Sequence, residues 1–191
     1  MKSDKKKAKS KPSYSDEDLK GKDLGFHYWG AMNYFIGLIK ASELKAGLIL
    51  SFYGIIFNFV YQNIETAKAG IGSFGFVHVI AILWLIITII SMFFSVRTFI
   101  PRIEKNYEPN VFFFGDVISK FGDIKEYSQK LIETNVDKAK LYDQLGQQVY
   151  INAKITTAKF RNVNQSLKYL AVSLGLLLLL VIIHIIKIFF S

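Results

Sequence analysis

The sequence contains no cysteine and only three prolines among its 191 residues. Without cysteine the chain can form neither a disulfide framework nor a thiolate metal site. Acidic residues are also scarce, because 15 Asp and Glu stand against 24 Lys and Arg, which gives a formal charge of +9. Yet 51% of the residues are hydrophobic. Since the apolar residues occur in long runs and do not alternate with polar ones, the composition predicts a membrane protein.

Three apolar runs can cross a bilayer, whose hydrocarbon core of about 30 Å requires about 20 helical residues. Phe74–Val96 contains no Lys, Arg, Asp or Glu, and Tyr169–Phe190 is interrupted only by one His and one Lys. Ala46–Tyr61 is short by itself and reaches spanning length if its helix begins near Tyr34. The sequence therefore predicts an all-α membrane protein with three transmembrane helices and a mostly helical segment between the second and third.

The distribution of cations predicts the orientation. Residues 1–45 contain ten Lys and residues 97–168 contain twelve Lys or Arg, whereas the loop around 62–73 and the C-terminal end contain one Lys each. The positive-inside rule places cation-rich segments in the cytoplasm. We therefore predict a cytoplasmic N-terminus, a cytoplasmic segment between the second and third spans, and a C-terminus outside.

The chain divides into four predicted parts. Its first dozen residues contain six Lys, so nothing there offsets the entropy of ordering. The aromatic run Phe26–Trp29 is typical of a membrane interface. The four parts are a disordered basic tail with an interfacial segment at 1–30, a two-helix transmembrane hairpin at 31–96, a cytoplasmic helical segment at 97–168, and the third transmembrane helix at 169–191.

The cytoplasmic segment contains two apolar patterns. Val111–Ile118 is too short to span a membrane and is either a buried strand or the start of an apolar helix. From about Asp137 an amphipathic helix is predicted to run into the third span. Its apolar stripe needs a partner, which is either the 111–135 region or a second protomer. The residues assigned to an oligomer contact are Leu141, Leu145, Val149, Phe160 and Val163.

Motifs for catalysis and cofactor binding are missing from the sequence. Gly70–Gly75 matches the GxGxxG pattern, but no strand precedes it and a span follows it, so it predicts a turn and no phosphate cradle. The three His lie far apart in the sequence and predict no metal site. We find no Walker loop, no His-Glu-x-x-His and no Gly-x-Ser-x-Gly. We therefore expect no enzyme activity, no catalytic residue and no cofactor.

Charged residues near the membrane boundary are candidates for a functional site. Glu43 and Lys45 lie two positions apart on a helix and face different directions. Each is either an ordinary boundary residue or meets another element, such as the basic exit Arg97–Arg102. Further cations lie at the base of the long helix, namely Lys154, Lys159, Arg161 and Lys168. Such a cluster can hold a phosphate or lipid headgroups, and composition favours lipid.

Several short motifs occur in an order that resembles a known family. The first resembles an acidic-x-Lys-Ala motif that opens the first span, and the second resembles an apolar-Phe-Gly-Asp/Asn-Ile segment. The motifs are Glu43–Leu50, Phe112–Val117, Glu126–Tyr127, Leu145–Tyr150, Ala153–Lys154 and Lys159–Val163. Over about residues 33–190 the chain resembles the Pycsar transmembrane effector family (PycTM domain).

The resemblance implies a bacterial anti-phage effector of the cell inner membrane. In that family a cyclase makes cCMP or cUMP upon infection, and the effector disrupts the membrane. No classical cyclic-nucleotide-binding domain is recognisable, so sensing belongs either to the short cytoplasmic segment or to a partner protein. The residues that match recurring family positions, and are candidates for ligand binding or signal coupling, are Glu43, Lys45, Asn110, Phe114, Gly115, Asp116, Glu126, Tyr127, Lys154 and Lys159.

Two functional hypotheses follow. In the first, the cytoplasmic helices bind a cyclic mononucleotide, the apolar stripe repacks between protomers of a homo-oligomer, and the third span moves to permeabilise the bilayer. In the second, the protein is a non-pore membrane anchor or scaffold that recruits a soluble nucleotide-handling partner. A transporter subunit is disfavoured because no internal repeat and no paired helix breaks are present. Neither hypothesis involves nucleic acid.

Overall fold

The computed structural model describes residues 22–65, 75–100 and 108–190. Within these ranges the chain is 91% helical and contains no strand, which confirms the predicted all-α class. The principal helices are α1 (Lys22–Gln62), α2 (Phe76–Phe99), α3 (Phe114–Ser119), α4 (Ile124–Val136) and α5 (Lys138–Phe190). The predicted disordered tail up to residue 21, the glycine-rich turn at 70–74 and Arg102 lie outside the described residues.

Among the described residues three helices are long and apolar enough to cross a membrane, which confirms the predicted number of spans. α1 begins at Lys22, ahead of the predicted boundary at residue 31, and passes through the aromatic segment without a break. No proline interrupts this stretch, so the helix propagates into it. With 41 residues, α1 is about 60 Å long at 1.5 Å per residue, which is about twice the hydrocarbon thickness.

α5 is one uninterrupted helix of 53 residues, as the amphipathic pattern predicts. Its start is fixed by Asp137, whose Oδ1 accepts hydrogen bonds from the backbone N–H groups of Ala139 at 3.1 Å and Lys140 at 3.3 Å. A side-chain acceptor at this position satisfies donors that the first helical turn leaves unpaired. The amphipathic portion and the third span therefore share a continuous backbone.

The apolar octamer Val111–Ile118 is a turn followed by a helix start. Val111 and Phe112 lie in the turn, and α3 begins at Phe114. The turn is closed by the Phe113 N–H, which donates to the Asn110 carbonyl at 3.1 Å. Of the two structures that the sequence left open here, the helix start is the one the chain adopts.

The chain packs as two compact units. One comprises residues up to Ala31 together with Pro109–Gln148, and we call it the extramembrane unit. The other comprises Met32–Glu108 and Val149–Ser191, and we call it the membrane unit. The packing boundary on α5 thus falls near residue 148. The reason is that polar residues beyond this point bond to α1 and α2, as described below.

In the membrane unit, each spanning helix buries residues at alternating intervals of three and four. On α1 these are Ser42, Ala46, Ile49, Tyr53 and Ile56. On α2 they are Trp84, Thr88, Ser91, Ser95 and Thr98. On α5 they include Thr156, Lys159, Val163, Ser166 and Ser173. This 3.5-residue spacing is the pattern of left-handed helix packing, and the small side chains let the backbones approach closely.

The apolar part of this unit lies around Trp84. Ile49, Tyr53 and Ile56 are buried with Trp84, and leucines of α5 pack against the group. Phe57 meets Trp84 edge to face with ring centroids 6.2 Å apart. The opposite faces of the helices expose large aliphatic side chains, which in water would be an aggregation hazard and in a bilayer contact lipid.

Candidate functional site

Buried hydroxyl groups connect α2 to α5 inside the membrane unit. The Ser91 hydroxyl donates to the Ser166 carbonyl oxygen at 2.8 Å, and the Ser166 hydroxyl donates to the Ser91 carbonyl oxygen at 2.9 Å. The Ser95 and Ser166 Oγ atoms are 2.7 Å apart. All three serines are 0% exposed. We call Thr88, Ser91 and Ser95 of α2, together with Ser166 and Ser173 of α5, the hydroxyl seam.

The hydroxyl seam continues toward the apolar cluster, where two polar groups are unsatisfied. Tyr53 Oη and Ser173 Oγ are 3.3 Å apart. Among the described residues, the buried Thr88 Oγ1 and Trp84 Nε1 have no hydrogen-bond partner. A buried polar group without a partner costs about 1–3 kcal/mol. The packed bundle therefore keeps polar atoms in its interior without fully satisfying them.

An ion pair joins all three spanning helices beyond the seam. Lys159 Nζ of α5 donates to Glu43 Oε1 of α1 at 2.7 Å and to the Thr98 carbonyl oxygen of α2 at 2.5 Å. The Lys159 side chain is 7% exposed, whereas that of Glu43 is 37% exposed. The adjacent Asn162 Nδ2 donates to the Arg97 carbonyl oxygen at 3.4 Å. An ionisable group in such a setting is a functional candidate.

Glu43 and Lys45 each meet another element, but this element differs from the expected one. Glu43 pairs with Lys159, and the Lys45 ammonium lies 5.7 Å from the centroid of the Phe160 ring, within cation–π range. Both partners belong to α5. The expectation that the basic exit Arg97–Arg102 supplies the partner is therefore corrected. The partners lie on α5 because the buried side of α5 faces α1 in the bundle.

The four cations at the base of the third span do not share one surface. Lys159 is buried and its ammonium is bonded to Glu43 and the Thr98 carbonyl. Lys154, Arg161 and Lys168 are exposed and lie seven residues apart, so they share the opposite face of α5. The prediction that Lys159 belongs to a phosphate-binding cluster is therefore corrected, because the Lys159 ammonium already has two partners.

In the extramembrane unit, Asn110 anchors the loop before α3. Its Nδ2 donates to the Gln144 carbonyl oxygen at 2.7 Å, and its Oδ1 accepts from the Phe112 N–H at 2.8 Å. Gln144 in turn accepts from the Val111 N–H through Oε1 at 2.9 Å. Asn110 is 0% exposed. Both ends of its amide are therefore used within the chain, which makes Asn110 a structural residue of this loop.

Asp116 and Tyr127 fasten the same loop. Asp116 Oδ2 accepts from the Asn110 N–H at 3.0 Å, and its Oδ1 lies 3.1 Å from the Lys120 ammonium. The Tyr127 hydroxyl donates to the Val111 carbonyl oxygen at 3.2 Å. Three of the candidate site residues, Asn110, Asp116 and Tyr127, are thus brought together around one loop.

The remaining candidates in this unit are placed differently. Phe114 is 72% exposed, and Glu126 is exposed in the first turn of α4. The Glu126 N–H donates to Asp123 Oδ1 at 2.9 Å. Gly115 lies against the Phe113 ring, which an added Cβ would approach to 2.9 Å. Gly115 therefore has a packing role, while Phe114 and Glu126 present their side chains to the surroundings.

The apolar stripe of α5 is largely covered within one chain. Leu145 is 2% exposed and Val163 is 1% exposed. Leu141, Val149 and Phe160 are half-buried. Leu145 and Val163 were predicted to contact a second protomer. This prediction is corrected, because packing within one chain already buries both side chains. Oligomerisation through the rest of the stripe stays a prediction.

Sequence reasoning missed the hydroxyl seam. The signal was present, because Thr88, Ser91 and Ser95 recur at intervals of three and four in an otherwise apolar run. Polar residues inside a span mark either an interhelical contact or a functional path. Ser166 was not detectable in this way, because it precedes the apolar run of the third span.

Metal binding has no structural basis in the described part of the chain. Across residues 22–65, 75–100 and 108–190, no group of three or more His, Asp or Glu side chains could hold a metal ion. His78 lies at the start of α2, where its Nδ1 accepts from the Gly75 N–H at 3.3 Å. The buried polar groups of the membrane unit are therefore the hydroxyl seam and the ion pair with the side chains around it.

These features define an integral membrane protein whose spanning helices associate through polar contacts. The family model described as Pycsar effector protein domain matches residues 27–186. The chain therefore belongs to the Pycsar effector family, as the sequence motifs predicted, and is an effector of anti-phage cyclic nucleotide signalling. Comparison with curated proteins and with solved structures yielded no match.

Proposed function

We propose that this effector oligomerises and permeabilises the inner membrane, without catalysis of its own, when a cyclic pyrimidine nucleotide, cUMP or cCMP, is produced. The observation that supports this most directly is the hydroxyl seam. The seam holds α2 to α5 by contacts that a second helix or water can replace. A bundle held in this way can exist in two arrangements.

The strength of the seam is compatible with switching by a ligand. Interhelical side-chain hydrogen bonds in membranes contribute on average about 0.6 kcal/mol each. The contacts of Ser91 and Ser95 with Ser166, and that of Tyr53 with Ser173, therefore amount to about 2 kcal/mol in total. A ligand that binds one state a thousandfold more tightly supplies about 4 kcal/mol. This exceeds the free energy of the seam contacts.

α5 provides the route for the signal in this proposal. It is one helix from Lys138 to Phe190, and it carries Leu145 of the extramembrane unit and Ser166 of the seam. A displacement of its first turns is therefore carried by a continuous backbone into the membrane unit. We assign coupling roles to Asn110, Asp116 and Tyr127, because they fasten the loop that Gln144 of α5 also holds.

Dye release from liposomes tests the proposal. The purified full chain is inserted into vesicles that contain a self-quenched dye, and cUMP, cCMP, cAMP and cGMP are added separately. We expect release with one pyrimidine nucleotide, and the purine nucleotides serve as matched controls. Release would show that a single chain senses the nucleotide and permeabilises the membrane.

The absence of release with all four nucleotides, in protein shown to be inserted, would contradict the proposal. It would favour the alternative of a membrane anchor that recruits a soluble nucleotide-handling partner. Adding lysate from infected cells to the same vesicles then separates the two cases. Release under that condition places sensing in a partner protein, and continued absence of release supports the anchor.

We also propose the orientation with a cytoplasmic N-terminus and an external C-terminus, on the basis of the cation distribution. Because the chain has no cysteine, Ser3→Cys and Ser191→Cys each introduce a single thiol. In spheroplasts, an impermeant thiol reagent should label only the Ser191→Cys variant. Labelling of the Ser3→Cys variant alone would reverse the assignment.

A further inference from the structure

α2 has two faces of opposite character within the bilayer. Between Val79 and Val96 the side chains that carry a hydroxyl or indole N–H are all buried, namely Trp84, Thr88, Ser91 and Ser95. The outward face consists of apolar residues such as Ile89, which is 56% exposed, and Phe93, which is 59% exposed. The polar atoms of this span are therefore concentrated along a single line.

This line covers about half of the hydrocarbon thickness. From Trp84 to Ser95 the helix rises about 16 Å at 1.5 Å per residue, against a hydrocarbon core of about 30 Å. Ser166 of α5 bonds to Ser91 and Ser95 of this line, whereas Ser173 of α5 lies within hydrogen-bond distance of Tyr53 on α1. Hydroxyl groups of α2 and α5 therefore meet at Ser166.

Two members of the line indicate an additional polar partner. Thr88 is 0% exposed and Trp84 is 7% exposed, yet Thr88 Oγ1 and Trp84 Nε1 have no partner among the described residues. Thr98, on the same helix, satisfies its hydroxyl with the Phe94 carbonyl at 3.1 Å, one turn earlier. A threonine in a helix can therefore bond its hydroxyl to the carbonyl oxygen four residues earlier, and Thr88 does not form this bond. Water is a small molecule that can both accept from the indole and bond to the hydroxyl.

We propose that the hydroxyl seam lines the water-filled path through which small hydrated ions cross the membrane in the activated effector. This inference rests on the proposed membrane permeabilisation and names the surface that carries it. In the resting bundle the seam is closed, because Ser91, Ser95 and Ser166 bond to one another. On activation these hydroxyls exchange their protein partners for water, and the unsatisfied Thr88 and Trp84 groups gain partners.

The lining has a defined chemistry. Between Trp84 and Ser95 the strip carries no formal charge, and its hydroxyl groups can bond to the hydration water of either cations or anions. The large apolar side chains of the outward face remain against lipid in both states. The inference therefore predicts that residues of the seam, and not those of the outward face, become accessible to water.

Single-cysteine accessibility tests this prediction in a chain that has no native cysteine. Ser91→Cys and Ser95→Cys probe the seam, and Ile89→Cys and Phe93→Cys on the same helix are matched controls. Each full-length variant is inserted into liposomes, ion flux is recorded, and cUMP or cCMP is added with a charged, membrane-impermeant methanethiosulfonate. Only a thiol that contacts water ionises to the reactive thiolate.

We expect the nucleotide that starts the flux to raise the modification rate of the two seam thiols at least about tenfold, because their ionisation requires water. Modification should also reduce the flux, since the attached group occupies the path. The two control thiols should keep their resting rate. Thr88→Cys supplies an independent seam position if one serine variant fails to insert.

Two contrary outcomes are distinguishable. Flux that proceeds while the seam thiols stay unreacted, or while the control thiols react equally fast, would overturn the seam as the lining and leave the permeabilising function intact. Absence of flux with both nucleotides, in inserted protein, would overturn the proposed function and this inference with it.

Discussion

Removing Glu43 and removing Lys159 should destabilise the resting bundle by different amounts, because the two side chains of this ion pair are buried to different extents. Lys159 is 7% exposed and Glu43 is 37% exposed. Glu43→Gln leaves the buried ammonium with the Thr98 carbonyl oxygen as its remaining described partner. Breaking a buried pair in this way costs about 3–5 kcal/mol, and the retained carbonyl contact places the expected loss near the lower end, at about 3 kcal/mol.

Lys159→Met has a smaller expected effect. The carboxylate that it leaves behind is 37% exposed, so water replaces the lost ammonium. We expect a loss of about 1 kcal/mol, in the range for exposed ion pairs. The double variant should resemble Lys159→Met, because no buried charge is then left without a partner. The exposed Lys130–Glu133 pair, with both side chains about half exposed, is the control, and Glu133→Gln should change stability by less than about 1 kcal/mol.

Denaturant titration in mixed micelles measures these differences, with circular dichroism as the readout for the Lys130–Glu133 control, which lies in the extramembrane unit. Trp84 lies in the membrane unit against Phe57, so its fluorescence reports on this bundle. Trp29→Phe removes the second indole from the background. Equal losses for Glu43→Gln and Lys159→Met, or a double variant as unstable as Glu43→Gln, would refute the argument that the buried ammonium dominates. In liposomes, Glu43→Gln should release dye without nucleotide.

Three further substitutions test other contacts. Thr88→Val removes the unpaired hydroxyl at nearly constant volume and should stabilise the resting bundle by about 1 kcal/mol. The expected result is a higher denaturation midpoint and less dye release at a given nucleotide concentration. A lower midpoint would contradict the inference that the Thr88 hydroxyl is unsatisfied. Asn110→Ala removes two buried side-chain hydrogen bonds and should cost the extramembrane unit about 2 kcal/mol, measured as faster limited proteolysis there. Gly115→Ala brings a Cβ to 2.9 Å from the ring of Phe113, which is 3% exposed and cannot move aside, and should cost about 1–3 kcal/mol. Gly122→Ala meets the flexible end of a glutamate and should change stability by less than about 0.5 kcal/mol, so equal losses for both glycines would contradict this reasoning.

Much of the architecture can be predicted from the sequence, because the length of the apolar runs and the helical periodicity of the chain define its helices. Runs such as Phe74–Val96 exceed the bilayer thickness and lack charge, so they can only be spans. The absence of proline after Asp123 predicts the long helix that becomes α5. The short motifs also identified the family, because their order extends over most of the chain.

The interior of each unit required the tertiary structure. Helical periodicity shows which residues share a face, but it does not show which neighbour covers that face. Lys159 pairs with Glu43 across 116 positions, and Ser91 pairs with Ser166 across 75 positions, and neither separation is encoded in a local pattern.

The sequence by itself determined the helical class, the three spans, the continuous third helix and the family. The tertiary structure decided the hydroxyl seam, the partner of Glu43, the burial of Leu145 within one chain and the loop held by Asn110. The physical reason is that lipid is as apolar as the side chains it surrounds, so hydrophobicity defines the spans without selecting their contacts. Packing of small residues and hydrogen bonds between helices make that selection, and both depend on the assembled bundle.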